Sequence, residues 1–324
     1  MKKISYIIFL ALLLCCVVFF AACTENEGDG VVTYTVTFNS NGGNAVPSQT
    51  VVKGGHAVLP AEPQMDGYIF KCWELDNVAW NFEANTVEGD ITLTAVWINA
   101  DNVYDFTALD NGNLCLTKYK GDQSIVRVPS KINGVTVEAI GNDLFSGVSF
   151  QSVDKIIVPE SIKIVGENAF KGCSNITIEI KGALTQIGEC AFQGCNRLGA
   201  VTLGEGIEEI PFAAFNGCTS LKGIMLPKGT KIIRENAFEE CSGLMFVILP
   251  EDFETVEESA FRDCDALAAV YYYGTEQSYD AITVDGSYNT TFEDAKVYLY
   301  SEEAPTLEGE YWYFDNRGNI KLWK

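Results

Sequence analysis

The chain has 324 residues, with 22 Lys and Arg against 44 Asp and Glu, one His and 11 Cys, which is length enough for two or three domains. A formal charge of −22 and a pI near 4.3 oppose a phosphate backbone over most of the surface, and no local basic patch interrupts that charge, which excludes nucleic acid as a partner. A single His leaves almost no raw material for a His-bearing catalytic triad or a multi-His zinc site, while 47% hydrophobic and 12% aromatic residues supply ample apolar surface for packed cores.

Lys2 and Lys3 precede an apolar run from Tyr6 to Phe20, then Ala21, Ala22 and Cys23, the charge, apolar and small-residue order of a secretory signal. The run is short for a spanning helix; an uncleaved anchor or an ordinary signal peptide is the alternative. Phe20-Ala21-Ala22-Cys23 resembles the lipobox of bacterial lipoproteins, with Phe20 where Leu is usual. The resemblance implies cleavage of residues 1–22 and a diacylglycerol on the Cys23 sulfur, so that the protein meets the membrane through an N-terminal lipid anchor. Loss of Lys2 and Lys3 takes the charge from −22 to −24. Residues 23–32 then read as a flexible acidic tether.

Thr33 to Phe38 alternates strictly and predicts a half-buried strand, followed by a turn at Asn39–Gly43. Further strands are predicted at Gln49–Val52, Tyr68–Trp73 and Ile91–Trp97, and Pro60 and Pro63 exclude a central strand between them. The strings VTFNSNGG at 36–43, GG at 54–55, LPAEPQMDGYIFKCW at 59–73 and ITLTAVW at 91–97 resemble the Listeria–Bacteroides repeat, the B-repeat of internalins, with Cys72 where Gly is usual. That resemblance implies a β-grasp-like domain over 33–100. Trp73, Trp80 and Trp97 are expected in its core, and His56 in a loop without a catalytic or metal role.

Phe170, Phe192, Phe215, Phe238 and Phe261 recur at intervals of 22, 23, 23 and 23 residues, each followed three residues later by Cys173, Cys195, Cys218, Cys241 and Cys264. A fixed period of this size predicts stacked coils that bury one continuous core. An Ile or Val stands five residues before each Phe: Val165, Ile187, Ile210, Ile233 and Val256. The units ENAFKGC, ECAFQGC, FAAFNGC, ENAFEEC and ESAFRDC, with a degenerate GNDLFSG at 141–147, resemble BspA-type leucine-rich repeats. The lead-in at 111–140 and the aromatic tail resemble the flanks of that family, giving a solenoid over 101–273 and a C-terminal cap over 274–324. The fold class is thus β-rich α+β: a small β-grasp-like module followed by a leucine-rich-repeat solenoid with an aromatic C-terminal cap.

Eight Cys lie beyond Cys23 and would allow four disulfides in an exported protein. Five of them share one repeat position beside Phe and Leu, which favours buried thiols; disulfide and metal readings remain as alternatives. Cys190 stands where Asn168 and Asn236 stand in sister units and is expected to replace a backbone-bonding amide.

Alternation within each unit points Val201 and Leu203 inward and Thr202 outward, and the same register aligns Ile157, Glu179, Thr202, Met225, Ile248 and Tyr271 in an outward column, with Gly223, Phe246, Ala269 and Tyr273 beside it. Met225, Phe246, Ile248, Tyr271 and Tyr273 therefore make up the candidate binding face. In the alternative, the aromatic tail, Tyr298, Tyr300, Tyr311, Trp312, Tyr313 and Trp323, folds over them and caps the solenoid. A second column, Glu167, Glu189, Glu235 and Glu258, reads as a solvated edge offset by Lys171, Arg234 and Arg262, or as a weak divalent-cation site. No GxSxG, P-loop or HExxH occurs, and neither cofactor, metal nor catalytic residue is expected. The expected function is that of a non-enzymatic protein at the outer face of a bacterial envelope. Resemblance to BspA-type proteins implies a protein or glycan ligand on host matrix, host cells or other bacteria. A structural spacer or envelope-assembly subunit is the alternative. A glycan receptor or hydrolase, resting on Tyr279/Asp280 and Trp312/Asp315, is the third.

Overall fold

A computed structural model describes residues 31–146, 153–305 and 309–323. The signal segment, Cys23 and the tether up to residue 30 lie outside the described residues. The protein is mostly β: a small N-terminal sheet, then a β-solenoid, then an aromatic cluster on the last sheet.

The first sheet holds β1 (Thr33–Asn39), β2 (Gln49–Val52), β3 (Tyr68–Leu75), β4 (Val78–Ala79) and β5 (Ile91–Asn99) in the order β2-β1-β5-β3-β4. β1 and β5 run parallel at its centre, and the other neighbours are antiparallel. β1 and β5 end at Asn39 and Asn99, residues suited to a turn. Asp76 and Asn77, both at positive φ (52° and 65°), close the β3–β4 hairpin with the two left-handed residues that strand twist demands. No helix crosses the sheet among residues 31–99; Ala57, Val87 and the partly buried Val46, Trp80 and Phe82 from its connections pack on the core instead. Trp73 is buried edge-on to Phe38 at 5.0 Å, as its apolar bulk requires, while Trp80 and Trp97 are only partly buried.

The repeat Phe rings form a stack at the centre of the solenoid. Phe170, Phe192, Phe215, Phe238 and Phe261 lie 5.2–5.4 Å apart with their ring planes nearly parallel. Phe145 of the degenerate unit extends the stack at one end and Phe292 at the other, 5.3 and 4.8 Å from their neighbours. The segment after residue 273 thus opens with a further coil, whose helix α2 (Thr290–Glu293; helix α1 is Glu276–Tyr279) supplies Phe292 and whose strand 296–300 continues the sheet. Among the described residues these two one-turn helices are the α part of the fold.

Backbone bonds fix the coil spacing. Phe170, Phe192, Phe215 and Phe238 each donate N–H to the Ala carbonyl of the next coil at 2.8–2.9 Å. The Cys173, Cys195, Cys218, Cys241 and Cys264 thiols each donate to the carbonyl of the previous coil's Phe, at 3.1–3.6 Å. All five are free and at most 1% exposed. The periodic Ile/Val residues build a second, narrow face of the solenoid, where two-residue parallel strands such as 232–233 and 255–256 pair coil to coil.

Two backbone positions per unit are left-handed. Asn168, Cys190, Ala213, Asn236 and Ser259 have φ of 50–57°. The Asn168 and Asn236 amides reach the Glu167 and Glu235 carboxylates at 3.3 Å, not the backbone. The trait Cys190 shares with them is the positive φ that Asn tolerates best.

The two parts keep separate apolar clusters and meet at one seam. Ile69 of β3 belongs to the solenoid's apolar cluster with Ala100, Val103 and Tyr104. Arg127 grips both Glu62 carboxylate oxygens through Nε at 2.9 Å, adds Nη2 at 2.6 Å, and lies 5.8 Å over the Phe70 ring. Solenoid ends need covering, and the first module covers one of them.

Candidate functional site

The candidate face is built on four parallel strands, Gly223–Met225, Phe246–Leu249, Ala269–Tyr272 and Lys296–Tyr300. Their register aligns Met225 with Ile248, Ile248 with Tyr271 and Tyr271 with Tyr298, so the outward column runs on into the tail.

Gly223 lies opposite Phe246. With no side chain there, the Phe246 ring lies down over the glycine; a Cβ at 223 would come 2.3 Å from the ring's Cζ. Phe246 is therefore half-buried and Met225, at 45%, exposed. Ile248 departs from expectation: it stands in the column but is only 3% exposed. Phe246 two residues back on its strand and Tyr271 across from it bear rings that meet edge-on at 5.8 Å, and the shorter Ile side chain lies below them. It forms a floor of the face and not a contact point. Ala269 is likewise buried.

The tail closes one end. Trp312 is fully buried against Tyr271, Tyr273 and Tyr300 at 5.1–5.4 Å, and its indole N–H donates to the Tyr272 carbonyl at 3.4 Å. Tyr271 stacks on Tyr298 at 5.3 Å, and Tyr273 leans on Tyr300 at 4.9 Å. Burial pushes the Tyr271 and Tyr300 phenols up, so both remain neutral donors at physiological pH. The tail packs against Tyr271 and Tyr273 and leaves both half-buried, while Met225 and the outer side of Phe246 stay open beside the exposed Thr202.

Apart from Ile157, the other half of the column is polar, and its charges are matched. Lys155 pairs with Glu179 at 2.5 Å across adjacent strands, and Arg127 at the head is held by Glu62. The face therefore grades from ion-paired to apolar and aromatic along the solenoid axis.

The Glu column does not gather its supposed partners. Arg234 bridges Glu209 at 2.5 Å and Glu257 at 2.7 Å, and Arg262 pairs with Glu239 and Asp263. Among the described residues no group of three or more His, Cys, Asp or Glu is placed to hold a metal ion. The two aromatic–acid pairs do not form a reactive site either. Tyr279 packs edge-on to Tyr272 with its phenol pushed up to about 12 by burial. The Asp315 carboxylate accepts from the Asn319 and Arg317 backbone and the Asn319 amide, which hold it below the usual carboxylate range, while Trp312 is buried. His56 Nδ1 lies 2.9 Å from the Asn85 carbonyl. An open groove of about 730 Å³ on the first module is lined by Tyr68, Glu74, Asn77 and Trp97 among others; Tyr68 and Trp97 stand in the repeat strings at 59–73 and 91–97, which did not point to a groove.

Comparison with known proteins places six copies of the BspA type leucine rich repeat region at residues 136–268 and the Listeria-Bacteroides repeat domain at residues 34–96. Two curated relatives come from Evansella cellulosilytica. One, named as a Gly-rich membrane protein, is 40% identical over 82 residues, 24% of this chain and 9% of its own length. The other, named as a membrane protein, is 37% identical over 90 residues, 26% of this chain and 14% of its own length. The match thus spans less than a sixth of either relative. Among solved structures, a leucine rich repeat protein of T. pallidum is 27% identical, with 54% of this chain and 70% of that chain covered at a TM-score of 0.36. A leucine rich cell surface protein of Faecalibacterium prausnitzii is 17% identical, with 69% and 60% covered at a TM-score of 0.43.

Proposed function

We propose that this chain, a Listeria–Bacteroides repeat domain followed by a BspA-type leucine-rich repeat region, is a non-enzymatic surface protein, lipid-anchored through Cys23, that binds a protein or glycan on the outward sheet face of its solenoid. The observation that carries the reading is the open apolar step at Met225 and Phe246, next to uncharged Thr202, on a chain of charge −22. Repeat solenoids present such continuous faces to ligands, and an apolar patch amid a polar surface is where desolvation favours contact. The excess of acid holds the protein off anionic surfaces, so the ligand is neutral or basic.

The test is a binding screen of the mature chain against matrix proteins and neutral glycans, with Met225→Asp/Phe246→Asp as control. Binding that the double variant abolishes, at unchanged thermal stability, supports the reading; a bound ligand indifferent to it moves the site elsewhere. Tyr271 is unsuited to this control because it also holds Trp312. One observation favours the spacer reading: the tail already packs against the Tyr271/Tyr273 end of the face, with Trp312 fully buried among those rings and both tyrosines half-buried. A chain that binds nothing in the screen and assembles into larger envelope particles would support that alternative.

A further inference from the structure

Seven large apolar side chains among the described residues are more than half exposed, and five of them, Val31, Val32, Val52, Val58 and Leu59, lie along one edge of the first module. Isolated exposed apolar residues are ordinary, whereas such a concentration is not. Val52 lies on β2, the edge strand of the sheet, Val31 and Val32 lead into its partner β1, and Val58 and Leu59 lie in the segment that follows β2. Val52 pairs with Thr33; the Val32 carbonyl accepts from the Lys53 N–H at 2.9 Å; and the Gln49 side-chain amide binds the Val58 N–H and carbonyl at 2.8 and 2.6 Å. β1 and β2 contain no charged residue at all, reading TYTVTFN and QTVV, in a chain that is 20% charged. The outward side of this edge is Thr and Val, with Thr33, Thr35 and Thr50 exposed.

The patch also lies where the tether ends. Only the seven residues Thr24–Gly30 separate Cys23 from Val31. Even fully extended, those links reach about 28 Å, roughly the width of a module of this size, so a lipid on Cys23 confines this edge to the neighbourhood of the bilayer. We propose that the β1–β2 edge lies on the outer leaflet, with Val31, Val32, Val52, Val58 and Leu59 against the headgroup–acyl boundary, so that the solenoid is held at a fixed attitude to the membrane and does not swing on the tether. This rests on the Cys23 reading above.

The test separates the two. The mature chain, with a hexahistidine tag in place of Cys23, is held on vesicles of phosphatidylcholine with a nickel-chelating lipid, which restores the seven-residue spacing whatever happens at Cys23 in the cell. Amide hydrogen exchange at residues 31–35 and 49–59 is expected to slow at least threefold relative to the same protein on nickel-charged agarose, with no change at 223–249. Val52→Asp/Val58→Asp/Leu59→Asp should abolish the slowing and leave the urea midpoint in place, since all three side chains are exposed. Unchanged exchange on vesicles, equal slowing on agarose, or slowing that survives the triple variant each overturns the proposal. Fatty-acid-analogue labelling that is lost in Cys23→Ser tests the anchor independently.

Discussion

The thiol column makes the solenoid sensitive to alkali in a way that can be computed. Cys173 is pushed up to about 12 by burial, and Cys195, Cys218, Cys241 and Cys264 are raised further still by the same cause, from an ordinary value of 9.0. An acid whose folded pKa is raised keeps its proton in the folded state while the unfolded chain releases it. Stability is therefore intact below about pH 9 and falls as pH rises from there toward 12. At pH 10 an unfolded thiol is about nine-tenths ionised, which costs about 1.4 kcal/mol per site, or about 7 kcal/mol for the five. That rivals the whole stability of a typical domain, about 5–15 kcal/mol. The assay is urea unfolding followed by circular dichroism from pH 7.5 to 10.5 in reductant, for the wild type and for Cys218→Ala/Cys241→Ala. The double variant starts less stable at pH 7.5, because two side chains are truncated in the core. Its pH slope at pH 10 should nevertheless be shallower by about two protons. Tyrosines and lysines titrate alike in both proteins and cancel. Parallel pH profiles for the two would refute the argument.

Three further outcomes follow from single positions. Glu240 and Asp263 hold φ of 59° and 56° where sister units place Gly172, Gly194 and Gly217 at 72–76°; Glu240→Gly should stabilise by about 1 kcal/mol, read as a rise in the urea midpoint. Asn289 is fully buried, its amide donating to the Glu257 and Asp285 carbonyls at 2.8 and 2.6 Å and its oxygen accepting from Phe261 N–H at 3.0 Å; Asn289→Asp turns two donors into acceptors facing carbonyls and should cost about 3 kcal/mol or more, with exchange rising first across 285–300. Glu62→Ala leaves the Arg127 guanidinium half-buried without its carboxylate and should cost about 1–2 kcal/mol, with exchange rising together in 60–70 and 125–133; a rise confined to the first module would argue against coupling across the seam.

The repeat was legible because one chemical requirement recurs at one spacing. Each coil needs a ring to stack, a small thiol beside it and an aliphatic residue on the opposite face, and the chain restates them every 22 or 23 residues. Alternation likewise gave the outward column and its register. Exposure within that column was not legible, because period-two logic assigns a side and not a depth. Gly223 was the available signal: a residue without a side chain in an outward row leaves a place for its neighbour's ring, here Phe246. Nothing local marked the loss of Ile248 beneath Phe246 and Tyr271. The αL requirement at Cys190 was hidden by its mixed occupants, Asn, Ala and Ser among them. Phe292 sits 31 residues after Phe261, outside the period, so the last coil could not be counted from spacing.

The sequence by itself determined the architecture: a small sheet, coils of constant period, thiols in their core and an excess of acid. Those properties are written in composition and in periodicity, which are local and repeat. Only the tertiary structure decided which outward residues stay open, that Trp312 from the tail is buried among Tyr271, Tyr273 and Tyr300, and that Arg127 binds Glu62, 65 residues earlier, where the two parts meet. Such contacts are made once, between segments far apart in the chain, and no spacing within either partner encodes them.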